Sequence, residues 1–289
     1  MNRKTRAILG ALLAAFLYAL NIPASKALLT QVGPVMMASL LYLGAGVGMT
    51  ALSAVNKGAR EASLTRQELP YVIGMIVLDM AAPICLMLGL KTVSPAHAAL
   101  LNNFEIVATA LIALLLFKER VSGVMWGAIG LITLACVLLS WDGAHSLRFS
   151  GGSLLVLAAC ACWGLENNCT RVLSKKSAAQ IVILKGIFSG LGSLVVALLV
   201  GESLPPLSSA LPALLLGFVS YGLSIFFYVR AQRDLGAART SAYYSVNPFI
   251  ASILSLVLFS EPLAKTYFPA LAVMAAGALL TVRDTLRSQ

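Results

Sequence analysis

Apolar residues run along this chain in ten long blocks, at about 7–29, 34–55, 71–90, 96–117, 122–140, 151–173, 178–200, 210–231, 238–259 and 265–282. Crossing the hydrocarbon of a bilayer takes roughly 20 apolar residues in a helix. The pattern therefore predicts an all-α polytopic membrane protein with ten transmembrane helices. The longest polar link covers 56–69, and Lys118-Glu119-Arg120-Val121 is barely a turn, so no soluble domain fits between spans. Arg3, Lys4 and Arg6 ahead of an apolar run have the outline of a signal peptide. That run is too long for one and lacks a small-residue cleavage site, so a retained first helix is expected.

The polar positions inside these blocks repeat. Tyr18-Ala19-Leu20-Asn21 with Ser25, Lys26 and Leu28 returns, about 145 positions later, as Trp163-Gly164-Leu165-Glu166 with Thr170, Arg171 and Leu173. At a shift of about 142, Leu90-Lys91 returns as Gln232-Arg233, and Phe117-Lys118-Glu119 as Phe259-Ser260-Glu261. The expected units are residues 1–145 and 146–289, with five spans each. Because five is odd, the second unit must sit upside down relative to the first, placing Glu119 and Glu261 on opposite faces. Inverted repeats that bracket a central site are the signature of carriers.

Composition agrees with lipid as the solvent: 59% hydrophobic and 11% charged, against about 25% charged in soluble domains. The net charge of +10 is explained by topology and not by nucleic acid. Sixteen of the 21 Lys and Arg fall on one side, from Arg3, Lys4 and Arg6 through Lys118 and Arg120 to Arg283 and Arg287. Lys26, Lys91, Arg148 and Lys265 fall on the other, and Lys185 lies within a span. A four-to-one bias places both termini in the cytoplasm. The five cysteines lie in or at the ends of apolar stretches and read as small hydrophobes, not as a metal or disulfide set. Trp126 and Trp141, near span ends, suit an interfacial belt.

The closing segment of each half runs from Asn103-Phe104-Glu105 through Phe117-Lys118-Glu119-Arg120 with Gly127 and Gly130, and from Asn247-Pro248 through Phe259-Ser260-Glu261-Pro262 with Gly277. With ten short spans in a five-plus-five inverted repeat, these segments resemble the EamA-type branch of the drug/metabolite transporter superfamily. The resemblance covers essentially the whole chain, and within that branch the chain looks most like bacterial inner-membrane exporters of amino acids and related metabolites. The first half has Glu105-Ile106 where the second has Asn247-Pro248, so the proline of that pattern carries no inference there.

Ionisable groups at mid-membrane cost about 2.5–3.5 kcal/mol for Asp, Lys or Arg, so they face a cavity or a partner. Asp79, Glu105, Glu166 and Lys185 are such groups. Asp79 is the repeat mate of Tyr221, which shares a helix face with Ser224 and Tyr228 by its spacing. Trp163, Glu166 and Thr170 share another face, mated to Tyr18, Asn21 and Ser25. Asn102, Glu105 and Thr109 share a third, mated to Tyr244 and Asn247. The candidate substrate-binding set is Tyr18, Asn21, Asp79, Asn102, Glu105, Trp163, Glu166, Tyr221 and Tyr244. An aromatic wall with acids and amides suits a small amphipathic molecule, whose ammonium the ring faces attract. Lys185, beside Gly186 and Gly190, reads first as part of a close helix contact. Pro23, Pro83 and Pro248 each remove a helix hydrogen bond and mark kinks.

The reading is a secondary carrier exporting small amphipathic metabolites, amino acids (aromatic ones included) before others, with efflux of cationic compounds as the rival. A membrane sensor or structural protein would leave the inverted repeat without a purpose. The sequence has no Walker A motif, no H-E-x-x-H, and only His97 and His145 as histidines, so neither ATP-driven transport nor an enzyme is expected. No cofactor is implied. The expected partners are the bilayer, the small-molecule substrate and a possible coupling ion; no oligomer is required.

Overall fold

The computed structural model describes residues 3–55, 64–117, 122–140, 150–173, 176–235, 240, 243–260 and 265–287, with the side chains of 117, 140 and 285–287 left aside. Glu119, Glu261, Trp141 and His145, and the loop residues Lys118, Arg120 and Arg148, lie outside the described residues. The chain is all-helical. Its ten spans are α1 (Arg3–Leu28), α2 (Pro34–Val55), α3 (Arg66–Leu90), α4 (Pro95–Leu116) and α5 (Gly123–Ser140), followed by α6 (Gly151–Leu173), α7 (Ala178–Leu199), α8 (Leu207–Leu235), α9 (Asn247–Phe259) and α10 (Tyr267–Arg287). Each expected block became one of these helices.

The packing follows the inverted repeat. α1 lies along α8, and its mate α6 lies along α3; α2 crosses its own mate α7, and α5 its mate α10. Leu115, Leu199, Leu215, Val257 and Leu279, each more than 60% exposed, face outward where acyl chains would cover them.

Five spans are irregular, and two of the irregularities are themselves mates. α4 breaks at Asn102 and Asn103, where Asn103 N–H donates to the Leu100 carbonyl at 3.0 Å and Ile106 N–H to the Asn103 carbonyl at 3.0 Å. The ninth block turns at the matching Ser245 and Val246 before α9 begins. α1 is interrupted at Leu20, where the ring nitrogen of Pro23 cannot donate to the Ala19 carbonyl. α7 and α8 contain π turns, at Lys185–Ser189 and Phe218–Leu223, of the kind that clusters at functional sites. Pro248 differs from expectation. It occupies the first turn of α9, where no N–H is required, and so starts a helix instead of kinking one.

α2 is the hub, with Met36, Met37, Leu41 and Tyr42 fully buried. Glycines let α7 and α8 reach it backbone to backbone. A Cβ on Gly186 would sit 2.2 Å from Gly46 N, and one on Gly217 would sit 2.1 Å from the Leu41 carbonyl oxygen. Ser39 Oγ donates to the Gly190 carbonyl at 2.8 Å and fixes the α2–α7 register. At the N-terminus of α2, Glu202 accepts from the N–H groups of Val35 (3.2 Å) and Met36 (2.7 Å). This satisfies donors that a helix start leaves open. At the C-terminus of α3, Lys26 Nζ donates to the carbonyls of Leu90 (2.6 Å) and Val93 (3.3 Å), a cation where the helix dipole favours one.

Gly186→Ala should therefore destabilise the purified protein by about 1–3 kcal/mol, as overpacking does. Gly130→Ala, where an added Cβ meets nothing within 4 Å, should leave the melting temperature unchanged or higher. Equal behaviour of the two in detergent thermal unfolding would remove the close-contact argument.

Candidate functional site

The π turn of α7 presents Lys185 to two carboxylates on different helices. Its Nζ lies 2.7 Å from Glu166 Oε1 on α6 and 3.2 Å from Asp79 Oδ2 on α3. All three side chains are at most 5% exposed. Each carboxylate has a second partner: Tyr42 Oη on α2 donates to Asp79 Oδ1 at 2.7 Å, and Thr170 Oγ1, one turn along α6, donates to Glu166. Four helices are tied through one ammonium. Breaking such a buried network from one side costs far more than its net stabilising contribution.

An aromatic wall stands against this ion cluster. The Tyr42 ring lies 5.0 Å from that of Tyr221, and Tyr221 lies 5.4 Å from Tyr18. Tyr18 is met edge-on by Trp163 at 6.4 Å and lies 6.1 Å from Tyr244, which meets Tyr228 at 4.9 Å. These centroid distances are those of favourable aromatic pairs. Asn21 Nδ2 donates to Tyr221 Oη at 3.2 Å while its Oδ1 accepts from Ser25 Oγ at 2.9 Å, so the interrupted end of α1 is held to the wall. Glu105 on α4 accepts from Asn167 Nδ2 at 2.6 Å. It lies within electrostatic range of Glu166, Lys185, Tyr18 and Tyr244. The centre thus carries three carboxylates and one ammonium. Asp79 Oδ2 accepts no hydrogen bond beyond its ion pair with Lys185, and Asn103 Oδ1, also buried, accepts none among the described residues.

Eight of the nine expected residues join this assembly: Tyr18, Asn21, Asp79, Glu105, Trp163, Glu166, Tyr221 and Tyr244. Asn102 does not. Asn102, Glu105 and Thr109 all face α6: Asn167 Nδ2 donates to Glu105 and, at 3.4 Å, to Thr109 Oγ1, while Asn102 lies two turns away against Cys160, its Oδ1 3.7 Å from Sγ. Tyr221, Ser224 and Tyr228 keep their common face: Ser224 Oγ donates to the Ala14 carbonyl at 2.8 Å, one turn before Tyr18, and the two tyrosines reach the aromatic wall. Asp79 is bonded to Tyr42 and not to its repeat mate Tyr221. The sequence reading missed Tyr42 and Asn167 and gave Lys185 too small a part. A lone intramembrane cation among three carboxylates was the signal available for Lys185; Tyr42, one aromatic in an apolar helix, gave none.

The sequence profile of the EamA-like transporter family matches residues 5–141 and, a second time, residues 150–283. The chain belongs to that family. It is a multi-pass membrane transporter and not an enzyme. This EamA-like transporter is 25% identical over 269 residues to an uncharacterized transporter of Methanothermobacter thermautotrophicus, covering 86% of this chain and 78% of the other. It is 24% identical to the uncharacterized transporter YyaM of Bacillus subtilis, over 83% of this chain and 81% of that one. It is 23% identical to the uncharacterized inner membrane transporter YedA of Escherichia coli K12, over 86% and 81%. A solved crystal structure superposes with a TM-score of 0.71 at 19% identity, over 97% of both chains, which supports the fold.

In this EamA-like transporter, Lys185→Met should cost about 3–5 kcal/mol, because it strands two buried carboxylates. Asp79→Asn should cost less, since Glu166 still holds the ammonium. Thermal unfolding in detergent checks the order; an Asp79→Asn lesion as large as that of Lys185→Met would mean the two pairs are not shared through one lysine.

Proposed function

We propose that this transporter exports small zwitterionic metabolites, amino acids with aromatic members among them, across the bacterial inner membrane by alternating access. The observation that carries the reading is the ion cluster. One ammonium and two carboxylates meet beside an aromatic wall, with the third carboxyl group, Glu105, close by on Asn167. A zwitterion brings one charge of each sign. Its carboxylate can take Lys185 from Glu166 while its ammonium takes the carboxylate so released, and its side chain stacks on Tyr18, Trp163 or Tyr244. Binding then exchanges partners within the cluster and leaves no charge bare, a condition for keeping charges at mid-membrane.

On this reading the repeats are residues 1–145 and 146–289, and both termini are cytoplasmic. Downhill movement or exchange against an ion drives export. The excess of carboxylates supports a second reading, efflux of cationic compounds, in which Glu105 and Asp79 receive a substrate cation and Lys185 stays with Glu166.

Counterflow into proteoliposomes separates them. The first reading expects labelled amino acids to accumulate against a preload of the same amino acid, with quaternary amines failing to compete. Competition by the amines alone supports the second reading, and counterflow of neither class rejects both.

Trp163→Ala tests the wall. Cation–π and ring contacts of about 0.5–2 kcal/mol correspond to a loss of roughly 2- to 30-fold in uptake of aromatic amino acids, with the protein still folded at the assay temperature. Unaltered uptake would make Trp163 a packing residue only.

A further inference from the structure

We propose that the groove between α1 and α8, at the end that carries Arg3, Arg6 and Arg230, binds the phosphodiester headgroup of an anionic phospholipid. The groove has a volume of about 720 Å³ and opens along the side of the helix pair. Its polar end is lined by Arg3, Arg6, Arg230 and Asp234. Arg3 is engaged by Asp234 at 2.6 Å, and Arg230 lies over the Phe226 ring at 5.3 Å from its centroid. Three guanidiniums against one carboxylate leave a surplus of two positive charges, and guanidinium forks suit phosphate oxygens.

The other end of the groove is apolar, with Leu9, Leu13 and Phe227. Leu9 is 49% and Leu13 43% exposed on the side where acyl chains lie. From Arg3 to Leu13 is ten residues, about 15 Å of helix, so a headgroup at the arginines lays its chain along the leucines. A free phosphate would use only the first half of this surface. Basic pockets between helices at the membrane interface select anionic headgroups in this way.

The groove is not a passive product of the repeat. At the mated pair, α3 and α6 close on each other: a Cβ on Gly89 would lie 2.8 Å from the Gly152 carbonyl oxygen, and one on Gly152 would lie 2.2 Å from Thr92 Oγ1. On the α1–α8 side, a Cβ on Gly10 would come no nearer than 4.0 Å to the Phe227 carbonyl oxygen. The pair α3 and α6 thus packs tightly where its mate, α1 with α8, leaves room beside the buried contact of Ala7 and Ala11 with Ala231 and Leu235, and the guanidiniums line that opening.

The test uses the full chain in a neutral detergent, titrated separately with phosphatidylglycerol, phosphatidylcholine and inorganic phosphate, and read by native mass spectrometry and by Tm. Phosphatidylglycerol should bind and raise Tm, with phosphatidylcholine and phosphate weak. Replacing both Arg6→Ala and Arg230→Ala should weaken phosphatidylglycerol roughly 30-fold, from about fivefold per arginine near the interface. Arg66→Ala with Arg283→Ala removes two exposed basic residues elsewhere and should change little. Equal binding of the two lipids by the parent overturns the proposal without any variant. So does equal weakening by the two double variants, which would mean diffuse attraction to a basic face. Phosphate matching phosphatidylglycerol would reassign the groove to a soluble anion and overturn the lipid reading.

Discussion

The ammonium of Lys185 is the constraint around which the centre is arranged. A lysine in a bilayer interior is tolerated only where counter-charges meet it at hydrogen-bond distance, and here they arrive from two other helices, Asp79 on α3 and Glu166 on α6. Each acid is in turn held by a hydroxyl, from Tyr42 on α2 and Thr170 on α6. The groups are buried and satisfy one another, so the positions of α2, α3, α6 and α7 are set jointly. Gly46 and Gly186 are part of the same arrangement. Only by letting α7 press against the backbone of α2 do they bring Lys185 level with the acids.

The fold was legible because hydrophobic runs and an internal repeat are one-dimensional signals that a lipid solvent and a duplicated unit impose directly. Ten blocks became ten helices, and Tyr18, Asn21, Trp163 and Glu166 were found together because the repeat pairs them. What failed depended on which residues meet across each helix contact. Asn102 does face α6 together with Glu105 and Thr109, but it meets Cys160 and not the ion cluster. Lys185 was visible as a charge but not as the hub, because its partners lie about 20 residues before it and 106 residues before it. Tyr42 offered no pattern at all; a tyrosine in an apolar helix acquires meaning only when a carboxylate is found above it.

The two halves match in topology and in their paired breaks in α4 and before α9, yet not in chemistry. Asp79 faces the centre where its mate is Tyr221, Asn21 where its mate is Glu166, and the π turns occur in the second half. The site is consequently lopsided in charge, with the acids drawn from α3, α4 and α6 and the phenols from α1, α2, α8 and the segment before α9. A bound molecule with distinct ends would have one preferred orientation between them.

The α2–α7 crossing has a mechanical consequence. These helices are each other's mates, so the axis relating the two halves runs through their contact. Gly46 and Gly186 bring the two backbones together there, Ile187 and Leu43 fill the flanks, and the Ser39 hydroxyl pins the register to the Gly190 carbonyl. The crossing is a clasp that joins one half to the other, with the ion cluster mounted close beside it.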